Sequence, residues 1–223
     1  MFKTLCMVFY FELLLLWRRS QEWLYPITFF IIVICLLPFA FSPDPVILQQ
    51  LLPGGVWLAA LFASILSAET IFHADLEEGS LEQWALSPTP LAFLMLAKLS
   101  AHWISTALPL IVLTPFIGGL FQLPLHAIVI LCASLFFGTP VLILLGSFGV
   151  SLTLGLRQQG VMLGLLILPL ATPVLIFGVN MVLQAQAGFS VAGPLALLAS
   201  LCVIAIISLP IAIASALRVS LDD

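Results

Sequence analysis

The chain has 223 residues, 63% of them hydrophobic and 7% charged, with a mean hydropathy of +1.28. A soluble domain is about half apolar and about a quarter charged, so the composition excludes one. A net charge of −4 without a basic tract argues against nucleic acid as a partner.

Residues 2–22 come first and are apolar, with charges near both ends and Glu12 inside. An apolar span here would carry Glu12 in mid-membrane at a cost of about 2–3 kcal/mol. A helix lying in the membrane interface avoids that cost and puts Trp17, Arg18 and Arg19 at headgroup level. The interfacial helix is therefore the preferred reading. Trp17-Arg18-Arg19 is also not the small-residue site of a cleavable signal peptide.

Four long neutral runs follow: 23–43, 45–68, 99–156 and 158–217. A helix rises about 1.5 Å per residue and needs roughly 20 residues to cross hydrocarbon. The first two runs each fit one span, and the last two each fit two spans and a turn. Gly118, Gly119 and Pro124 punctuate the third run; Asn180, residues 184–188, Gly193 and Pro194 punctuate the fourth. The pattern predicts six spans near 24–41, 54–72, 91–117, 126–154, 160–180 and 195–216, in one all-α polytopic domain covering residues 1–223. Lys3, Arg18, Arg19, Lys98, Arg157 and Arg218 all fall on one side of that arrangement. Positive charge is retained in the cytoplasm, so both termini are expected inside.

Half of the ten acids lie between Glu69 and Glu82, at the end of span two and in the connection that follows it. Span two is expected to run on to about Glu78. Gly79 then takes the left-handed conformation that ends a helix. Ser80 reads as an N-cap with Gln83 three places on, a capping box, and Glu82 favours the positive end of the helix dipole. A short helix over 81–87 follows, with Leu81, Trp84 and Ala85 on one face, and Pro88 and Pro90 close the segment. A partner could bury Leu81 and Trp84 while its basic groups face Glu77, Glu78 and Glu82. The alternative is a solvated loop whose apolar face packs on the membrane.

Other polar residues have plainer readings. Glu69, just inside the bilayer boundary, is expected to pair with Lys98 or Arg157. Gly160-x-x-x-Gly164 and the stripe Ala60, Ser64, Ala68 suit close helix packing, within the chain or in a dimer. Cys6, Cys35, Cys132 and Cys202 stand singly and read as buried spectators. Prolines 109, 115, 140, 169, 173 and 210 can kink the spans without distinguishing one function from another.

The run Glu77-x-Gly79-Ser80-x-Glu82-x-x-x-x-Ser87-Pro88 resembles the segment after the second span in one class of ABC-exporter membrane subunits. "FHADLEEGSLEQ" (72–83), "PGGVWLAAL" (53–61), "LAKLSAHW" (96–103) and "GVSLTLGLR" (149–157) together resemble the CcmB family of the cytochrome c maturation system, in order and over nearly the whole chain. The resemblance implies a non-catalytic subunit of the bacterial inner membrane, working as a homodimer with a cytosolic CcmA-like ATPase. CcmC-like and CcmD-like haem-handling subunits and a periplasmic CcmE-like haem chaperone are the other implied partners. It makes 72–88 the coupling segment, with Asp75, Glu78, Gly79, Ser80, Leu81, Glu82, Gln83 and Trp84 as the ATPase dock. Glu69, Lys98 and His102 are the candidate functional residues inside the membrane.

The sequence adds constraints of its own. It has no G-x-x-x-x-G-K-[ST] loop, so ATP would be bound and hydrolysed by the partner. Haem is expected as cargo at most: His73, His102 and His126 share neither depth nor helix face, and each reads first as a structural or interfacial residue. Two rival readings stay open: a permease for another hydrophobic substrate such as a lipid or drug, and a scaffold that binds haem-handling subunits without transmitting motion. G-x-S-x-G and H-E-x-x-H motifs are both absent, which disfavours an intramembrane enzyme.

Overall fold

A computed structural model describes residues 2–18, 20–41, 44–72, 75, 79–153 and 159–222. The described residues form eight helices and no strand: α1 (Phe2–Arg18), α2 (Ser20–Ala40), α3 (Pro45–Glu69), α4 (Ser80–Ala85), α5 (Leu91–Leu120), α6 (Leu125–Thr153), α7 (Gln159–Gln186) and α8 (Ala192–Asp222). Six of them, α2, α3 and α5 to α8, are long and apolar enough to cross a membrane, and they correspond one to one with the expected spans. The chain is a multi-pass, all-helical membrane protein.

Span two starts nine residues earlier than expected, at Pro45 rather than 54. Asp44 caps it by accepting a hydrogen bond from the Val46 amide at 2.9 Å, and Pro45 occupies the first turn, where no amide hydrogen is needed. Pro53-Gly54-Gly55, which looks like punctuation in sequence, lies inside the helix with Pro53 and Gly55 buried. Span two also stops earlier than expected, at Glu69 and not near Glu78. Thr70 Oγ1 donates to the Ser67 carbonyl at 3.1 Å, and the Ile71 amide donates to Ala68 O at 3.1 Å, tightening the last turn. The chain then turns inward and buries Ile71 and Phe72. That burial outweighs continuing the helix into water.

The ends of the bundle away from α4 are fastened by backbone turns and amide side chains. The α5–α6 turn is closed by Leu123 N–H to Gly118 O at 2.9 Å, which puts Gln122 in the left-handed region at φ 57°. Gln49 Nε2 of α3 donates to the carbonyl of that same Gln122 at 3.0 Å, and Gln186 Nε2 of α7 donates to Gln49 O at 3.1 Å. Residues 184–186, expected in a connection, are helical. The turn comes two residues later at Gly188, φ 74°, closed by Phe189 N–H to Gln184 O at 2.9 Å.

Helix α6 is the centre, packed against α3, α5, α7 and α8. Its hydroxyls bond back along their own helix, Thr139 to Leu135 O at 2.7 Å and Ser147 to Ile143 O at 2.8 Å, so no donor is left open to hydrocarbon there. The stripe Ala60, Ser64, Ala68 is buried within the chain, and a Cβ on Gly146 of α6 would come within 2.8 Å of Ala68 Cβ. Trp57 is wholly buried, its indole between Gly138 of α6 and Gly178 of α7 and its Nε1 donating to Ser134 at 3.3 Å. Gly164 meets nothing, so the half of the G-x-x-x-G pair whose surroundings are described does not serve packing within the chain.

The two kinds of glycine should respond oppositely. A Cβ at position 178 would stand 2.1 Å from Trp57 Cζ2, so Gly178→Ala displaces a large buried ring and is expected to cost about 1–3 kcal/mol. Gly164→Ala, in open space, should be neutral or gain about 0.5–1 kcal/mol of helix propensity. Thermal unfolding in detergent, followed by tryptophan fluorescence, checks both.

Candidate functional site

Helix α4 is six residues long, too short to hold itself together, and its position depends on its surroundings. Gly79 precedes it at φ 67°, left-handed as expected. Ser80 is not the N-cap: it is the first helical residue, and the expected capping box with Gln83 does not form. Its hydroxyl instead lies 3.2 Å from both the backbone carbonyl and Oδ1 of Asp75, joining α4 to the segment before it. At the far end the helix stops at Ala85, two residues before the expected limit, and the Leu86 amide bonds back to Glu82 O at 3.1 Å. Thr89 N–H donates to Ser87 Oγ at 3.2 Å and Pro90 leads into α5, so the prolines close the segment as their chemistry requires.

The inner face of α4 belongs to the chain's own core. Leu81 is 1% exposed, and Trp84 is half-buried over Lys98 of α5, the ammonium 5.3 Å from the ring centroid. A partner therefore does not bury Leu81; the protein already has. The surface left open carries Glu82, Gln83 and Leu86, the last 86% exposed. Glu77, Glu78 and His73 lie outside the described residues.

Lys98 joins the parts. It is buried, and its Nζ lies 3.0 Å from Glu12 Oε2 on α1 and 2.8 Å from Asp75 Oδ2. One ammonium is thus shared by two carboxylates and an indole face, from three separate stretches of chain. The expected pairing of Lys98 with Glu69 is corrected: Glu69 is the last residue of α3, and the Lys98 contacts go to Glu12 and Asp75. Arg157, the other expected partner, lies outside the described residues. Breaking a buried pair of this kind typically costs about 3–5 kcal/mol, because the remaining charge is stranded.

One turn along α5, His102 is buried and its Nε2 is hydrogen-bonded to Ser67 Oγ of α3. The His102 carbonyl accepts from Thr106 at 2.7 Å and Ser105 at 2.9 Å. His126 Nε2 is 3.0 Å from Ala185 O, tying α6 to α7. Both rings are held in interhelical contacts. The expectation of four buried cysteines needs correction: Cys202 is buried and Cys132 half-buried, but Cys6 and Cys35 are exposed, on apolar faces that need no protein cover in a membrane.

Sequence reasoning missed Glu12 as the partner of Lys98, Ser67 as the partner of His102, and Leu86 as open surface. For Glu12 a signal was present. A lone acid in an apolar leader and a lone lysine at the start of a span need each other if both are withdrawn from water.

Six apolar spans with a short helix clamped beneath them define a membrane-embedded subunit that offers a small acidic and apolar surface at one end. The CcmB protein family model matches residues 3–220. The chain is 47% identical over 212 residues to heme exporter protein B of Pseudomonas aeruginosa, covering 95% of each. It is 44% identical to the Haemophilus influenzae protein of that name, over 95% of this chain and 96% of the relative. Over 215 residues it is 42% identical to the Escherichia coli K12 protein, covering 96% and 98%. The chain belongs to the CcmB family.

The left-handed Gly79 should be essential to α4. Gly79→Val forces a β-branched residue to φ 67°, at about 1–2 kcal/mol. Hydrogen exchange at residues 80–86 should then quicken by roughly 5–30-fold with the spans unaffected.

Proposed function

We propose that this chain is the membrane subunit of an ABC-type transporter complex serving cytochrome c maturation, and that it receives the work of a cytosolic CcmA-like ATPase through α4. The observation that carries this reading is a six-residue helix held on its inner face by Leu81, Trp84 and Lys98, with Glu82, Gln83 and Leu86 turned outward. A firmly held helix with an open acidic rim suits a partner cleft lined with basic groups. Membership of the CcmB family and the name of the relatives, heme exporter protein B, support haem handling as the setting.

Lys98 and Arg218 both lie towards the end of the bundle that carries α1 and α4, since six spans crossing in turn return the chain there. Retention of positive charge makes that end cytoplasmic, in the bacterial inner membrane, with both termini inside and α1 in the interface. ATP is bound and hydrolysed by the partner, and this subunit is not itself an enzyme. Closure of two ATPases on a homodimer would push on 72–88. Spans two and three would pass the motion to the opposite face, where a CcmE-like haem chaperone is released with CcmC-like and CcmD-like subunits alongside. Haem is cargo in this scheme, with no ligand on this chain assigned to it.

Co-purification from native membranes tests the dock. Glu82→Lys with Leu86→Asp changes only outward-facing groups, so the fold should persist while the ATPase is lost by tenfold or more, about 1.4 kcal/mol or greater. Retention of the ATPase by the double variant would refute docking on α4. Restored cytochrome c assembly in a deletion strain separates the haem role from export of a lipid or drug. Assembly that survives loss of ATP hydrolysis by the partner would favour a scaffold.

A further inference from the structure

We infer that Lys98 is the positioning residue that locks α1 to α4, so that the N-terminal helix and the docking helix form one body. The three groups around Lys98 come from different parts of the chain: Glu12 from α1, Asp75 from the segment before Gly79, and Trp84 from α4. All three share one buried ammonium. Neither carboxylate can leave without stranding charge in a poorly hydrated site, and Trp84 adds its ring face to the same ammonium.

The surroundings give the tie its purpose. Asp75 is held in turn by the Ser80 hydroxyl, so a pull on α4 reaches Lys98 through Asp75 as well as through Trp84. Helix α1 packs along α5, the helix that carries Lys98. On its other side it exposes Met7, Tyr10 and Phe11, a face suited to lipid. A displacement of α4 therefore has to move α1 across the membrane surface or break the ion cluster. Coupling thus engages the membrane interface as well as spans two and three. This use of the tie rests on the docking reading above, whereas the tie itself stands on the contacts alone.

Distances between spin labels test it in the full chain in lipid nanodiscs, without the ATPase. Labels go on cysteines at Met7 and Leu86, both exposed, with Cys6, Cys35, Cys132 and Cys202 replaced by alanine. The expected result is one narrow distance distribution that broadens about twofold or more in Lys98→Met, as α1 and α4 become independent. Lys98→Arg, which keeps the charge, should stay narrow.

Since Lys98→Met leaves two buried carboxylates and can fail to fold, a triple variant decides in that case. Glu12→Gln, Asp75→Asn and Lys98→Met together remove every charge while keeping an acceptor for Ser80, and this variant should also broaden. A narrow distribution in Lys98→Met or the triple variant overturns the inference, as does Lys98→Arg as broad as Lys98→Met. Adding the ATPase to unlabelled protein, in which Leu86 is unchanged, keeps the two readings apart. Failure to bind the wild type would refute docking and leave the distances unchanged.

Discussion

A single ammonium, shared by two carboxylates from chain segments far apart, determines how one end of this protein is built. Lys98 cannot be buried alone, and neither can Glu12 or Asp75. Their joint burial requires α1 to lie along α5 and brings Asp75, from the connection between α3 and α4, against Lys98. The six-residue α4, which has no independent stability, is placed by that requirement together with the burial of Leu81. The function proposed for α4 depends on this. A helix that merely floated on its connections would yield to a push instead of passing it on.

The opposite end is fastened differently. There the Gln49 and Gln186 amides join α3, α7 and the α5–α6 turn through neutral hydrogen bonds to backbone carbonyls, and the His126 ring of α6 meets a backbone carbonyl of α7. Between the two ends, Trp57 between two glycines and the Ala60, Ser64, Ala68 stripe against Gly146 bring α3, α6 and α7 close enough to behave as one block. Neutral hydrogen bonds of this kind are individually modest, about 0.5–1.5 kcal/mol net each, whereas breaking a buried charge pair costs several times that. The coupling proposed above, with force taken at one end and a change of shape at the other, would be well served by that difference.

Much of the fold was legible in the sequence because membrane crossing depends on composition and length, which a sequence displays directly. The six spans follow from neutral runs of the right size, and the left-handed Gly79 follows from a break that only glycine fits cheaply. The boundaries of span two were not legible. Pro53-Gly54-Gly55 looks like a break but is tolerated inside a buried helix, and the stop at Glu69 is set by where Ile71 and Phe72 find cover. The register of α4 shifted because Ser80 bonds to Asp75, five residues upstream and itself held by Lys98, in place of the capping box. The Lys98–Glu12 contact, 86 residues apart, shows in the sequence only as two lone charges in apolar stretches, with nothing to pair them. The acids of the proposed docking segment were visible as a cluster, but not that Asp75 would face inward while Glu82 faced outward.

The most direct test of the central claim, that α4 is where the ATPase sits, is site-specific photocrosslinking in native membranes. A photoreactive amino acid at Glu82, Gln83 or Leu86 should capture the cytosolic ATPase, and one at Met7 or Leu58, on apolar faces turned to lipid, should not. Capture at the three outward positions and not at the controls is the result expected here. Capture of the ATPase only elsewhere, or of no ATPase at any of the three, would contradict it.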